Sequence, residues 1–182
     1  MKSYLMRLAL ASLVACGSGV HAALDIGETA PQFTAQAAMA GNVIAYSLLD
    51  ELKKGPVVLY FFPMAFSSGC SIEAHNFAEA MDEYRALGAS VIGVSRDDIE
   101  VQKKFSVSDC RGKFAVAADP DQRIMKSYDA VLSMRSDYAN RVSYLIEPGG
   151  KIVYQYTSLN PAKHVENTLT ALRSWLKSGV VK

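Results

Sequence analysis

The sequence predicts an α/β fold in which helices flank a mixed central β-sheet. Short apolar runs rich in β-branched and aromatic residues alternate with segments whose apolar residues recur at helical spacing. Towards the end of the chain, a hairpin signal joins two further runs and a helical segment follows. The 182 residues, 50% of them hydrophobic and 20% charged, suit one domain with a sizeable core. This order of segments predicts helices layered against a sheet.

The predicted strands are bounded by turn residues. After a turn-rich entry, Gly41-Asn42 is the turn before the first strand. The segment 56–62 is continuously apolar, as expected of a strand buried on both faces, and it stops at Pro63. Glu147-Pro148-Gly149-Gly150 is the turn of the hairpin. The predicted strands are residues 43–47, 56–62, 89–94, 114–118, 142–146 and 151–156.

The predicted helices follow from apolar spacing and from residues that favour helix ends. The longest covers residues 68–87 and ends at Gly88. Phe77, Met81 and Tyr84 recur along it at helical spacing, so we expect them on its buried face. The other predicted helices cover residues 98–108, the segment from the turn at 119–121 to 128, and 161 to about 179.

The first 22 residues have the features of an export signal. Lys2 and Arg7 make a positively charged start, residues 8–15 form a short apolar stretch, and the segment ends in a small-residue cleavage site. The apolar stretch is shorter than the about 20 residues that a membrane-spanning helix needs. We therefore expect residues 1–22 to be a signal peptide and residues 23–182 to be an exported domain, in the periplasm.

A lipid anchor is the alternative interpretation of the same segment. Leu13-Val14-Ala15-Cys16 resembles the lipobox of bacterial lipoproteins, in which the cysteine becomes the lipidated first residue. In both cases Cys16 is unavailable to soluble disulfide chemistry, which leaves two thiols, Cys70 and Cys110. Three cysteines are too few for a disulfide-scaffolded fold, and a formal net charge of +1 does not indicate a nucleic-acid partner.

The most informative cysteine lies where a buried strand passes through a loop into a helix. The segment 63–70, Pro-Met-Ala-Phe-Ser-Ser-Gly-Cys, places Cys70 at the start of the predicted helix. Backbone N–H groups at a helix start have no intrahelical partner, so a negative charge is favoured there. The thiolate is the nucleophilic form of cysteine, and this position favours it. The alternative is a buried cysteine that acts only as a small hydrophobic residue.

Three stretches of the sequence resemble the peroxiredoxin family of the AhpC/TSA type. Pro63, Ser67 and Cys70 fit its pattern of proline, three residues, threonine or serine, two residues and cysteine. The wider run FFPMAFSSGCSIEAHNF is similar to the bacterioferritin-comigratory, or peroxiredoxin Q, branch. So are IGETAPQF near the predicted mature N-terminus and RVSYLIEPGGKI from Arg141 onward. The resemblance implies a thioredoxin-like fold and a thiol-dependent peroxidase that reduces hydrogen peroxide and organic hydroperoxides.

The resemblance implies a role for four residues in the reaction. Cys70 would be the peroxidatic cysteine, whose thiolate attacks one peroxide oxygen and becomes a sulfenic acid. Ser67 would hydrogen-bond the peroxide, and Arg141 would hold the thiolate and stabilise charge on the departing oxygen. Pro63 would shield the thiolate without adding a competing N–H group. Each has a structural alternative: Ser67 as a helix cap, Arg141 as a surface charge and Pro63 as the end of a strand.

The second thiol, Cys110, is the candidate resolving cysteine. Many peroxiredoxin Q proteins carry a second cysteine five residues after the first, where this sequence has His75. Some members of the branch instead resolve through a cysteine in the region of Cys110, which would form an intramolecular disulfide with Cys70. Because a disulfide needs Cα atoms within about 7 Å, we expect local unwinding around one or both cysteines on oxidation. The alternative is an inert Cys110 and resolution by an outside thiol.

The expected partners are a peroxide and a thioredoxin-like reductant protein, with the chain a monomer or a weak homodimer. We expect no cofactor and no metal, because His75 and His164 are too far apart and too few for a metal site. Two other functions remain open. One is a thioredoxin-like disulfide oxidoreductase, although Glu73 stands where the Cys-x-x-Cys pattern needs a cysteine. The other is a redox-sensing module of the cell envelope. For Glu73 itself we expect a structural role, either supporting the helix dipole or pairing with an arginine.

Overall fold

The computed structural model describes residues 23–179, which fold around a seven-stranded mixed β-sheet. The described strands are β1 (Thr34–Met39), β2 (Asn42–Ser47), β3 (Val57–Phe61), β4 (Ser90–Ser95), β5 (Ala115–Ala118), β6 (Val131–Leu132), β7 (Arg135–Ala139), β8 (Val142–Ile146) and β9 (Ile152–Thr157). Across the sheet their order is β2-β1-β5-β4-β3-β8-β9, while β6 and β7 pair separately. Strands β3, β4 and β5 run parallel, and the other neighbours run antiparallel. The predicted export segment 1–22, with Cys16, lies outside the described residues.

Helices pack on both faces of this sheet. Those that the structure describes are α1 (Leu48–Leu52), α2 (Ser68–Ala86), α3 (Ile99–Ser108), α4 (Arg123–Ser127) and α5 (His164–Lys177), the last preceded by a 3-10 turn, Pro161–Lys163. Asp98 caps α3 by accepting a hydrogen bond from the Val101 N–H, and Gly88, with φ of 74°, follows α2. Within residues 23–179, no helix combines the length and apolarity needed to cross a bilayer.

The sheet separates two hydrophobic cores, and the side chains of β3 alternate between them. Its odd-numbered residues belong to one core and its even-numbered residues to the other, so the whole strand is buried. The second core contains both Cys70 and Cys110. It also contains the predicted buried face of α2, formed by Phe77, Met81 and Tyr84, and this prediction is therefore confirmed.

The register of the strands brings two distant parts of the chain to one end of the sheet. β8 runs antiparallel to β3, and Phe61 at the end of β3 pairs with Val142 at the start of β8. The loop that follows β3 therefore lies beside Arg141, the residue before β8. Because β4 runs parallel to β3, the segment after Ser95 reaches the same end of the sheet.

The observed fold confirms the predicted α/β class with a mixed sheet, and the missed elements have a physical reason. The six predicted strands correspond to β2, β3, β4, β5, β8 and β9, and the four predicted helices correspond to α2 to α5. The prediction missed β1, α1 and the β6–β7 pair. β1 is rich in alanine, which has little intrinsic preference for strands. It is held by pairing with β2 across a turn in which Ala40 and Gly41 have φ of 49° and 81°.

Candidate active site

The loop between β3 and α2 is anchored before the helix begins. The Ala65 N–H donates to Oδ2 of Asp97 at 2.7 Å, and the Ser95 hydroxyl at the end of β4 donates to the same oxygen at 2.7 Å. The loop turns at Phe66, whose φ of 63° is uncommon for a residue other than glycine. Such conformations persist where the surrounding contacts hold them, and they are concentrated at functional sites. Asp97, which no pattern in the sequence indicates, is the residue that holds this loop in place.

Cys70 lies in the first turn of α2, as predicted. It is the third residue of the helix, and its side chain is buried in the second core. The backbone N–H groups of this first turn have no intrahelical acceptors, so the helix end favours a negative charge close by. Burial alone would fit an inert cysteine. The partner of its sulfur decides between the two interpretations.

That partner is Arg141, whose guanidinium is buried and held by three acceptors. Its Nη2 donates to Sγ of Cys70 at 3.3 Å, its Nη1 donates to a carboxylate oxygen of Glu73, and its Nε donates to the Leu159 carbonyl at 3.2 Å. Only 5% of the residue is exposed, so Arg141 is not a surface charge. A buried guanidinium with a thiol as one of its partners stabilises a thiolate there.

Gly69 leaves the space that this arginine occupies. A Cβ atom built on Gly69 would lie 3.2 Å from Nη2 of Arg141 and 4.0 Å from Cγ of Pro161. The first of these distances is tighter than an ordinary van der Waals contact. The glycine before the cysteine therefore lets the guanidinium reach the sulfur.

Glu73 links the arginine to a buried histidine. The Glu73 side chain is fully buried, and burial raises its pKa to about 8 against the opposing effect of Arg141. Its Oε1 lies 3.6 Å from Nδ1 of His164. Glu73 therefore pairs with an arginine, one of the two structural roles expected for it.

His164, considered from the sequence only as a metal ligand, instead has two hydrogen-bond partners in the fold. Nδ1 of His164 is 2.8 Å from the Ser143 hydroxyl, and its Nε2 is 2.9 Å from the Ser158 carbonyl. Burial is the main cause that lowers the pKa of His164 to about 4. No local pattern in the sequence connects this histidine with Glu73, because α2 and α5 meet only in the folded chain.

Within residues 23–179, neither Ser67 nor Pro63 hydrogen-bonds the Cys70 sulfur. Ser67 is the N-cap residue of α2, but its hydroxyl donates to the Met64 carbonyl at 3.0 Å instead of accepting from the first turn of the helix. It is therefore not a side-chain cap. Pro63 lies two residues after Phe61, the last residue of β3, and it is half-buried.

Cys110 is buried in the same core as Cys70, and both are free thiols. It follows α3 in a turn where Arg111 and Gly112 have φ of 52° and 66°. Burial, with a smaller effect of the Asp109 charge, raises the pKa of Cys110 far above its usual range. In this state Cys110 is a thiol shielded from attack. Within residues 23–179, no group of three or more acidic, histidine or cysteine side chains is placed to hold a metal ion.

Comparisons with family models and with known proteins agree on one family. The model of the AhpC/TSA family matches residues 26–155. The chloroplastic peroxiredoxin Q of Gentiana triflora is 30% identical over 156 residues, which cover 85% of this chain and 70% of that protein. The putative peroxiredoxin YkuU of Bacillus subtilis is 30% identical over 164 residues, which cover 85% of this chain and 91% of that protein.

Solved structures match the fold over most of the described chain. The peroxidoxin BcpB of Mycobacterium tuberculosis superposes with a TM-score of 0.74 at 24% identity, covering 82% of this chain and 96% of that one. A cysteine-to-serine mutant of PrxQ from Xylella fastidiosa superposes with a TM-score of 0.75 at 23% identity, covering 84% and 98%. At these identities the likeness establishes the fold.

Proposed function

Because the chain belongs to the AhpC/TSA family and to its peroxiredoxin Q-like branch, we propose that Cys70 is its peroxidatic cysteine. Members of this family are thiol peroxidases, and so is this chain. The assignment of Cys70 is supported by one observation above the others: the buried guanidinium of Arg141 donates to its sulfur at 3.3 Å. A fixed positive charge beside the thiol favours the nucleophilic thiolate.

The proposed chemical step transfers one peroxide oxygen to the sulfur. The Cys70 thiolate attacks that oxygen, an S–O bond forms, and the O–O bond breaks. The sulfur is oxidised to a sulfenic acid, the peroxide is reduced, and the second oxygen leaves as an alkoxide or hydroxide that takes up a proton. Arg141 stabilises the charge that moves from the sulfur to the leaving oxygen, because its position is fixed before the peroxide arrives.

Ser67 and Pro63 are proposed to shape the place where the peroxide binds. The Ser67 hydroxyl, which makes no capping hydrogen bond, is free to turn from the Met64 carbonyl towards a bound peroxide. Pro63 has no N–H group that would compete for the thiolate. The neighbouring side chains Met64 and Phe66 are 42% and 51% exposed, and such apolar surface suits organic hydroperoxides as well as hydrogen peroxide.

We propose that Cys110 resolves the sulfenic acid after local unpacking. Its sulfur would attack the Cys70 sulfur, the sulfenic oxygen would leave as water, and an intramolecular disulfide would form. Both thiols belong to one core, and Cys110 follows a short helix in a turn with two positive φ angles. Because burial keeps Cys110 protonated, resolution would wait until its turn opens. A thioredoxin-like dithiol protein is the proposed reductant of the disulfide.

Mass spectrometry of the oxidised protein tests the two assignments separately. After one equivalent of hydrogen peroxide, the parent protein is expected to contain a Cys70–Cys110 disulfide. Cys110→Ser is expected to accumulate Cys70 sulfenic acid, trapped by dimedone, at an unchanged rate. If Cys110→Ser instead gives no adduct at Cys70, the peroxidatic assignment is wrong. If the parent gives the same adduct and no disulfide, Cys110 is not the resolving cysteine.

The proposed location is the periplasm, with residues 1–22 removed on export. The N-terminal mass of the protein from a bacterial envelope fraction tests this. Cleavage before Ala23 supports a soluble exported domain, whereas a lipidated Cys16 at the N-terminus supports an anchored one. An intact N-terminus in the cytoplasm would contradict both. We propose a monomer or a weak homodimer, which sedimentation at several concentrations would test.

A further inference from the structure

A cavity of about 210 Å³ lies at the end of the sheet opposite Cys70. Ser90 and Ala115, the first residues of β4 and β5, form part of its wall, together with Arg85 in the last turn of α2. Cys70 lies in the first turn of the same helix, after the carboxyl end of β3. The cavity is therefore separate from the site that contains the Cys70 sulfur.

Much of the wall of this cavity is apolar. Met81 of α2, Val91 of β4 and Phe114, the residue before β5, line it and are buried in the second core. Ile44 of β2 completes this part of the wall and is partly exposed. An apolar cavity of roughly 150 Å³ can bind benzene. The cavity therefore has room for one small ring or a short branched chain.

The charged groups around the cavity leave an excess of positive charge. Arg85 and Lys113 both line it and share one carboxylate, because Nη1 of Arg85 lies 3.2 Å and Nζ of Lys113 3.6 Å from Oδ1 of Asp82. Glu51, a further lining residue, pairs with Lys54 at 2.6 Å, so its charge is compensated. The Asp82 side chain is 78% exposed, and exposed ion pairs contribute little. A carboxylate at the cavity can therefore replace Asp82 as the partner of Lys113.

Part of the same wall belongs to the turn that carries Cys110, residues 109–114. The Lys113 N–H donates to the Cys110 carbonyl at 2.9 Å, and the Arg85 guanidinium donates to the Lys113 carbonyl. Cys110 itself is fully buried, so a reagent reaches its sulfur only when this turn opens. A molecule bound against Lys113 and Phe114 contacts the segment that has to move for this to happen.

We propose that the cavity binds a small organic acid, whose apolar body packs on Met81 and Phe114 and whose carboxylate pairs with Lys113. Opening of the Cys110 turn moves Lys113 away and removes these contacts, so the bound acid stabilises the closed turn. No bond is made or broken. The effect on the reaction rests on the proposed resolving role of Cys110: a bound acid slows disulfide formation and prolongs the life of the Cys70 sulfenic acid. Binding itself does not depend on that role.

Titration of the full chain with phenylacetate, followed by NMR, tests the site, and 2-phenylethanol is the uncharged comparison ligand. Phenylacetate should bind more tightly than the alcohol. Lys113→Gln should weaken phenylacetate binding about tenfold, because it removes a charge-assisted hydrogen bond, and should leave the alcohol unaffected. Lys104→Gln is the matched control, since Lys104 is an exposed lysine on α3 that lies outside the cavity.

Filling the cavity tests its position. Ile44→Trp places a large ring in the wall and should abolish phenylacetate binding. Val43→Trp is the matched control, because successive side chains of a strand point to opposite faces and Val43 is exposed beside Ile44 on β2. Equal binding by Ile44→Trp and the parent, or no binding of phenylacetate to the parent, would overturn the proposed site.

Alkylation of the reduced protein by N-ethylmaleimide tests the effect on the turn. A ligand that binds only the closed turn should slow the reaction of Cys110 about elevenfold at about ten times its Kd. Mass spectrometry separates the Cys110 peptide from the Cys70 peptide, whose rate should not change and is the internal control. An unchanged Cys110 rate with the cavity saturated would overturn the proposed effect on the turn.

These measurements use no peroxide, so their failure is distinct from failure of the proposed peroxidase mechanism. If phenylacetate binds and protects Cys110 but the oxidised parent contains no Cys70–Cys110 disulfide, the binding site stands and the resolving role of Cys110 is wrong. If the disulfide forms at the same rate with and without saturating phenylacetate, the proposed control of resolution is wrong, and the role of Cys70 is unaffected.

Discussion

At the scale of single residues, the site depends on one arginine with three fixed partners. Arg141 is placed by the start of β8 and reaches Cys70, Glu73 and the Leu159 carbonyl at once. The planar fork of a guanidinium can make these contacts together, whereas an ammonium group is a compact point charge. Gly69 contributes by leaving room for Nη2. The contacts of one buried side chain thus connect the nucleophile with the interior of the protein.

Arg141→Lys should therefore lower peroxidase activity although it keeps the charge. We expect kcat/KM for hydrogen peroxide to fall about 100- to 1,000-fold, the usual effect of losing one fixed donor to a developing charge. Stopped-flow peroxide consumption measures it. Arg173→Lys is the matched control, because Arg173 on α5 forms a solvent-exposed salt bridge with Glu83 on α2. Equal activity of Arg141→Lys and the parent would show that the guanidinium is not part of the site.

At the scale of elements, the sequence predicts individual strands and helices better than the contacts between them. The apolar run of β3 and the helical spacing of α2 are local patterns, and both elements are found within one or two residues of the prediction. The register that pairs Phe61 with Val142 is not local, and neither is the contact of α2 with His164. For this reason the sequence indicates Cys70 and Ser67 but does not reveal Asp97 or His164. Arg141 was identified through the resemblance and its place before β8.

Two buried tyrosines on β3 and α2 should respond differently to loss of the hydroxyl group. The Tyr84 hydroxyl is 2.7 Å from the Thr168 hydroxyl and joins α2 to α5, so Tyr84→Phe should cost about 1 kcal/mol of unfolding free energy. Within residues 23–179 the buried Tyr60 hydroxyl has no hydrogen-bond partner, so Tyr60→Phe should be neutral or stabilising. Urea denaturation of both variants measures the difference. An equal loss in both would contradict this account of the α2–α5 contact.

At the scale of the whole molecule, the buried pair behind the site makes stability depend on pH. Burial raises the pKa of Glu73 from its usual 4.5 to about 8 and lowers the pKa of His164 from its usual 6.5 to about 4, while the unfolded chain keeps the usual values. Between pH 6.5 and 8 the folded pair therefore holds one proton that the unfolded pair has lost. The raised pKa of Glu73 thus makes stability fall as pH rises through this window.

The slope should reach up to about 1.4 kcal/mol per pH unit, the value for one proton. Between pH 4.5 and 6.5 both states hold about one proton on the pair, so its contribution should be flat. Urea unfolding of the parent and of Glu73→Gln at pH 6.5 and pH 8 measures the difference. We expect the parent to lose stability over this interval and the variant to lose much less. Parallel losses would mean that Glu73 is ionised in the fold at pH 6.5.

The central claim, that Cys70 is the peroxidatic cysteine, is tested most directly by peroxide consumption with dithiothreitol as reductant. The parent, Cys70→Ser and Cys110→Ser are compared at equal concentration, with circular dichroism confirming that each is folded. We predict turnover by the parent and by Cys110→Ser, because the small thiol can replace the internal resolver, and none above background by Cys70→Ser. Peroxide consumption by Cys70→Ser at the rate of the parent would contradict the account, because the nucleophile would then lie elsewhere.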